Sequence, residues 1–163
     1  MKRPSTVEAR LTAAGWRLPD PPVPRGGYAP FHEMALPGAT LVHVSGQASR
    51  LDGVPIVGVC RKGADLEPAR QACAQAALSA LAALRLACDG DLGRVRAVPQ
   101  LRGYLRTDAN FGEHSAVLDG ASQVLQAAFA GMPRPARTAV GVSSLPGGCW
   151  AEVELSALVD KPA

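Results

Sequence analysis

Two residues near the C-terminus have the types needed to act together on a small molecule. Arg137 opens the run Pro135-Ala136-Arg137-Thr138-Ala139-Val140-Gly141-Val142-Ser143-Ser144, and Glu152 lies in Cys149-Trp150-Ala151-Glu152-Val153-Glu154-Leu155. Leu145-Pro146-Gly147-Gly148 stands between them. Two strand-like runs around a Pro-Gly-Gly turn predict a β-hairpin. With Pro146-Gly147 as a two-residue loop, Glu152 falls opposite Gly141, and Arg137, Ala139, Gly141, Ser143 and Glu152 share one face. Arg137 is then four positions from Gly141, about 13 Å at roughly 3.3 Å per residue. That is too far for an ion pair and leaves room for a ligand over Ala139 and Gly141. A planar guanidinium grips a carboxylate through two charge-assisted hydrogen bonds. A glutamate activates water where its surroundings bring its pKa into range. The plainer alternative is two surface residues that keep a sheet edge soluble.

The elements that must position this pair follow from periodicity. Thr6 to Ala14 reads as a short helix, with Ser5 as N-cap and Gly15 as its stop. Leu18-Pro19-Asp20-Pro21-Pro22-Val23-Pro24 is an extended linker, closed by Arg25-Gly26-Gly27-Tyr28. Residues 1–24 therefore read as an N-terminal helix and linker, a flexible cap in the simplest view, and 25–163 as one domain. A Pro-Gly turn precedes a strand over Thr40 to Ser45, and a short apolar run covers Val54 to Val59. Asp65 to Cys88 is the clearest helix, capped by Asp65, with Pro68 in its first turn. Its Cys73, Ala76, Ala77, Ala80, Leu81 and Leu84 recur at helical spacing on a small-residue face that allows close packing. Val95 to Thr107 is strand-like, and Pro99 marks an edge or a bulge. A second long helix runs from about His114 to Ala130. The order predicts an α+β fold, a mixed sheet with two main helices on one face.

Composition narrows the function classes. The 163 residues are 47% apolar and 19% charged, enough for one folded core. A net charge of +3 with 4% aromatic residues and no Lys/Arg run argues against a nucleic-acid footprint. No apolar run reaches the roughly 20 residues of a membrane span, and no signal-peptide core follows the N-terminus. A cytoplasmic protein is expected. Cys60, Cys73, Cys88 and Cys149 form no C-x-x-C pair and read as free buried thiols. His32, His43 and His114 lack metal-ligand spacing, so no metal is expected. Trp150 reads as a core or subunit contact.

Several segments together resemble the RidA/YjgF family of reactive-intermediate deaminases, formerly labelled endoribonuclease L-PSP. They are Gly27-Tyr28, Leu41-Val42-His43-Val44-Ser45-Gly46-Gln47, Gly63-Ala64-Asp65-Leu66, Pro135-Ala136-Arg137-Thr138-Ala139-Val140 and Ala151-Glu152-Val153-Glu154. The resemblance spans about residues 25–159. Asp119-Gly120-Ala121-Ser122 and Val140 to Pro146 point to a subgroup with a long N-terminus. It implies a chorismate-mutase-like fold, homotrimers with a ligand cleft at each interface, and hydrolysis of 2-imino acids or enamines to 2-keto acids and ammonia. No cofactor or metal is implied. Arg137 matches the residue that holds the substrate carboxylate, Glu152 the one that positions water, and Tyr28 and Ser45 other cleft residues. On the residues alone, Tyr28 can equally pack over a sheet edge and Ser45 can equally bond nearby backbone. Ala139 stands where active members often carry a cysteine, and Asp119 where they often carry asparagine. A carboxylate at 119 favours an amine-bearing ligand over a plain carboxylate. Two further functions stay open: non-catalytic binding or sensing of small carboxylates, and, with less support, RNA cleavage.

Overall fold

The computed structural model describes residues 6–161. Three helices flank a five-stranded mixed sheet. In chain order they are α1 (Thr6–Ala13), β1 (Phe31–Leu36), β2 (Ala39–Ala48), β3 (Arg50–Leu51), β4 (Val54–Pro55), α2 (Glu67–Ala87), β5 (Val95–Arg106), α3 (His114–Ala128), β6 (Ala136–Val142) and β7 (Ala151–Asp160). The main sheet runs β1-β2-β7-β5-β6, and β3 and β4 form a separate small ribbon. The predicted N-cap, Ser5, lies outside the described residues.

The alanine-rich pattern explains the helix layer. Thirteen residues of α2 are buried, more than one helix face, because the helix is covered by both the sheet and α3. Small side chains let α3 come close: a side chain at Gly120 would overlap the Arg70 carbonyl of α2. Asp65 caps from just outside, its Oδ1 accepting the Glu67 N–H at 3.0 Å, while the helix boundary falls at Leu66. Helix α1 is no loose cap. Val7 and Leu11 are buried in the same core, Arg10 donates to the C-terminal Ala128 carbonyl of α3 through Nε and Nη2, and Arg85 pairs with Glu8 at 2.7 Å.

One predicted pairing is wrong. β6 and β7 are not a hairpin: β5 lies between them. It pairs in parallel with β6, Leu101 facing Arg137, and antiparallel with β7, Tyr104 facing Glu152. The reason is α3. Its apolar face must cover the sheet beside α2, so it carries the chain from β5 to β6 as a crossover, which makes those two strands parallel. The Pro146–Gly148 segment forms a 3-10 turn, with Gly147 and Gly148 at positive φ, and passes to the far side of β5. The true Pro-Gly hairpin is Pro37-Gly38, joining β1 to β2. Pro99 sits at an irregularity of β5, between the register positions of Ala97 and Gln100, on a central strand instead of an edge.

All four cysteines are free and buried. Burial pushes the Cys88 thiol up to about 12 and raises those of Cys60 and Cys73, so these three are not thiolate nucleophiles. Among the described residues no helix is long and apolar enough to cross a membrane. Nor does any group of three His, Cys, Asp or Glu residues there form a metal site. Trp150 packs against the core, and a side chain at Gly58 would overlap its ring.

Candidate functional site

The strand order decides which predicted residues meet. Leu101 and Tyr104 are three apart on a regular stretch of β5, so their neighbours Arg137 and Glu152 project from opposite faces of the sheet. Burial agrees: Leu101, Gly103 and Leu105 face the helices, while Arg102 and Tyr104 face away. The shared face predicted for Arg137 and Glu152 is thus corrected, because it depended on the hairpin.

Arg137 lies on the helix side, with Asp119. Its Nη1 donates to Asp119 Oδ1 at 2.6 Å and to Ser122 Oγ at 2.9 Å. Its Nη2 reaches Ser115 Oγ at 2.5 Å and the Ser115 carbonyl at 3.3 Å. Two turns of α3 place these partners along a single stripe, at the i, i+4, i+7 spacing of Ser115, Asp119 and Ser122. Beside the pair is a cleft of about 190 Å³, lined by Leu125, Phe129, Met132 and Arg134. Ala139 is half-buried on the same side of β6 as Arg137.

Glu152 lies on the open face with different surroundings. Its neighbours across the strands are Ala48 and Tyr104. The register of β2 against β7 shifts between Val44 and Gln47, so Ser45-Gly46 forms a bulge next to it, a common device beside ligand sites. Gly46 leaves room for the carboxylate there: a Cβ would overlap Glu152 Oε1 and push the side chain aside. The carboxylate is half-buried, and none of the described residues gives it a hydrogen bond or an ion pair. Burial, and then repulsion from Glu154, raise its pKa. Glu154 itself is held by Arg102 Nη1 at 2.9 Å and the Tyr104 hydroxyl at 3.3 Å.

Tyr28 lines two grooves, one with Glu152 and one with Ser45. Its ring is about half exposed. The Ser45 hydroxyl donates to the Ala29 carbonyl at 2.6 Å and its N–H to the Pro30 carbonyl at 3.0 Å, so Ser45 fastens the 28–30 segment to β2. The groove at Glu152 encloses about 720 Å³, and one wall is the proline-rich segment Pro19 to Pro24. Gly46, Arg25 and Arg50 belong to this site, and the sequence reading passed over all three as site residues. The Ser-Gly-Gln motif was the available signal for Gly46.

A mixed sheet with helices on one face, and a half-buried carboxylate on the other, defines an α+β fold of two layers. Residues 8–157 match the family described as YjgF/chorismate mutase-like, putative endoribonuclease, and the chain belongs to this RidA/YjgF family. Protein TCP17 of Trypanosoma cruzi is 35% identical over 159 residues, covering 94% of this chain and 93% of its own. A protein of unknown function from Agrobacterium tumefaciens has a crystal structure with TM-score 0.84 at 30% identity, covering 94% of this chain and 92% of that one. The Escherichia coli yjgF gene product shares the fold at TM-score 0.57 and 19% identity, over 97% and 98% of the two chains.

Proposed function

We propose that this protein hydrolyses small 2-imino acids or their enamine tautomers to 2-keto acids and ammonia. The observation that carries this reading is the state of Glu152: half-buried, without a protein partner, raised in pKa, and facing an open groove. An unpartnered carboxylate in that condition is suited to hold a water and take its proton. The water oxygen attacks C2 of the iminium, the C=N electron pair moves to nitrogen, and Glu152 receives the proton. The resulting carbinolamine regains that proton on its amine. The C–N bond then breaks as the hydroxyl closes to a carbonyl, its proton passing back to the Glu152 carboxylate, and ammonia leaves. An iminium carbon is already electrophilic, so positioning supplies much of the effect and no strong nucleophile is needed.

In this reading Arg137 holds the substrate carboxylate, Tyr28 and Ser45 shape the cleft, and Asp119 and Ala139 line its Arg137 side. Since Arg137 and Glu152 leave one chain by opposite faces, the two act on one molecule only if a neighbouring copy supplies the other half. A homotrimer with interface clefts does this. The test is keto-acid release from an imino acid made in situ by an amino-acid oxidase. Release above the uncatalysed rate, lost in Arg137→Ala, is expected; no acceleration across several amino acids sinks the proposal. The Asp119 contact, which already occupies Arg137, counts against turnover and leaves a second reading, a non-catalytic binder of small carboxylates that compete with Asp119 for Arg137. Keto acids that raise the melting temperature without any turnover would select it.

A further inference from the structure

The Glu152 groove carries two cations that the hydrolytic step leaves unused. Arg25 Nη2 and Arg50 Nη1 both donate to the same carbonyl, that of Gly53, at 3.2 and 3.3 Å. Asp52 and Gly53 form the tip of the β3–β4 ribbon, both at positive φ, which is the tight two-residue turn that aims this carbonyl. Neither arginine makes an ion pair among the described residues. Two guanidinium groups around one neutral acceptor repel each other and leave most of their five N–H donors each unused. An anion between them removes the repulsion and fills those donors.

The surroundings hold the pair in place. A side chain at Gly147 would come within 3.0 Å of Arg50 Nη2 and 3.2 Å of Pro55, so the β6–β7 connection presses closely on Arg50. Arg25 is exposed at the end of the proline-rich wall, whose restricted backbone limits where its side chain starts. Asp20, Asp52 and Glu152 also line the groove, yet none reaches ion-pair distance of either arginine. The groove thus presents carboxylates and a cation pair in separate places, which suits a ligand bearing both an iminium nitrogen and carboxylates. Its size, about 720 Å³, is ample for a four- or five-carbon chain.

We propose that Arg25 and Arg50 form a second anion seat that takes the side-chain carboxylate of the substrate, so that the protein prefers acidic 2-imino acids. This rests on the groove being the imine-hydrolysing site. The experiment compares kcat/KM for the imines of glutamate and alanine, each generated in situ. Wild type is expected to prefer the acidic imine by about tenfold, the scale of one charge-assisted interaction. The double variant R25Q/R50Q loses at least about tenfold more on the acidic imine than on the alanine imine, mainly through KM, whereas R137Q lowers both alike. No acidic preference in wild type, or equal losses in R25Q/R50Q, overturns the seat while leaving the hydrolase reading intact. If no imine is hydrolysed, the hydrolase reading fails, and calorimetry with 2-oxoglutarate against 2-oxobutanoate still decides the seat. Tighter binding of the dicarboxylate that disappears in R25Q/R50Q supports it; equal affinities, or no binding, overturn it.

Discussion

Arg137 and Glu152 are both charged residues on strands, both half-buried, and their situations are opposite. Arg137 is surrounded: Asp119, Ser115 and Ser122 take up donors on both terminal nitrogens of its guanidinium. Glu152 has no protein partner, and its environment works against its charge. The difference shows where each side of the sheet spends its polar groups. On the helix side, a half-buried cation beside packed helices gains from compensation, and α3 provides it. On the open face Glu154 has such compensation and Glu152 does not, and in the proposed mechanism that omission frees the Glu152 carboxylate for water.

The sharpest way to break this comparison is Glu152→Gln. Keto-acid release is expected to fall by about 10²- to 10⁴-fold, the range of a lost general base. The same variant is expected to melt higher at pH 7. The folded-state pKa of Glu152 is raised, so its contribution to stability is present below the unfolded pKa and is lost as pH rises through the folded one. Glutamine, always neutral, avoids that loss, and the gain should vanish in melts below the unfolded pKa.

Two glycines separate packing from chemistry. Gly120→Ala sets a methyl against the Arg70 backbone and is expected to cost about 1–3 kcal/mol in denaturant titrations. Gly46→Ala meets only the movable end of Glu152, so it should cost less stability and still remove most activity by turning the carboxylate away. Equal effects on both properties in the two variants would show that the faces do not divide labour.

Asp119→Asn tests the other half. The ion pair is partly exposed, so the loss of stability should be about 0.2–1 kcal/mol. Freed from its counter-charge, Arg137 should lower KM for carboxylate substrates; an unchanged KM would make the pair a brace between α3 and β6. The smallest effect is expected from Glu154→Gln. Removing the neighbouring negative charge lets the Glu152 pKa fall, so the acid limb of the pH–rate profile moves to lower pH.

Local patterns were legible where local physics decided the outcome. The helical spacing of small and apolar residues located α2 and α3 to within a few residues, and the Pro-Gly signal correctly marked a turn at 37–38. β1 was not visible, because its middle residues are exposed and show no alternation. The Pro146-Gly147-Gly148 signal was real as a turn and misleading as a hairpin, since turn chemistry sets the local bend and says nothing about which strand comes alongside. Glu152 was identified by type and motif, Arg25 and Arg50 were not, because 25 residues of sequence separate them and only the Gly53 carbonyl joins them.

The amino-acid sequence by itself determined most of the elements, the family and the types of the two main site residues, Arg137 and Glu152. These depend on short-range propensity, on periodic burial and on motifs that survive as strings. Only the tertiary structure decided that β5 inserts between β6 and β7, and with it the face on which each charged residue sits. A side chain alternates faces with every step along a strand, so strand order and register, which depend on distant packing of α3 against α2, fix whether two strand residues meet or part.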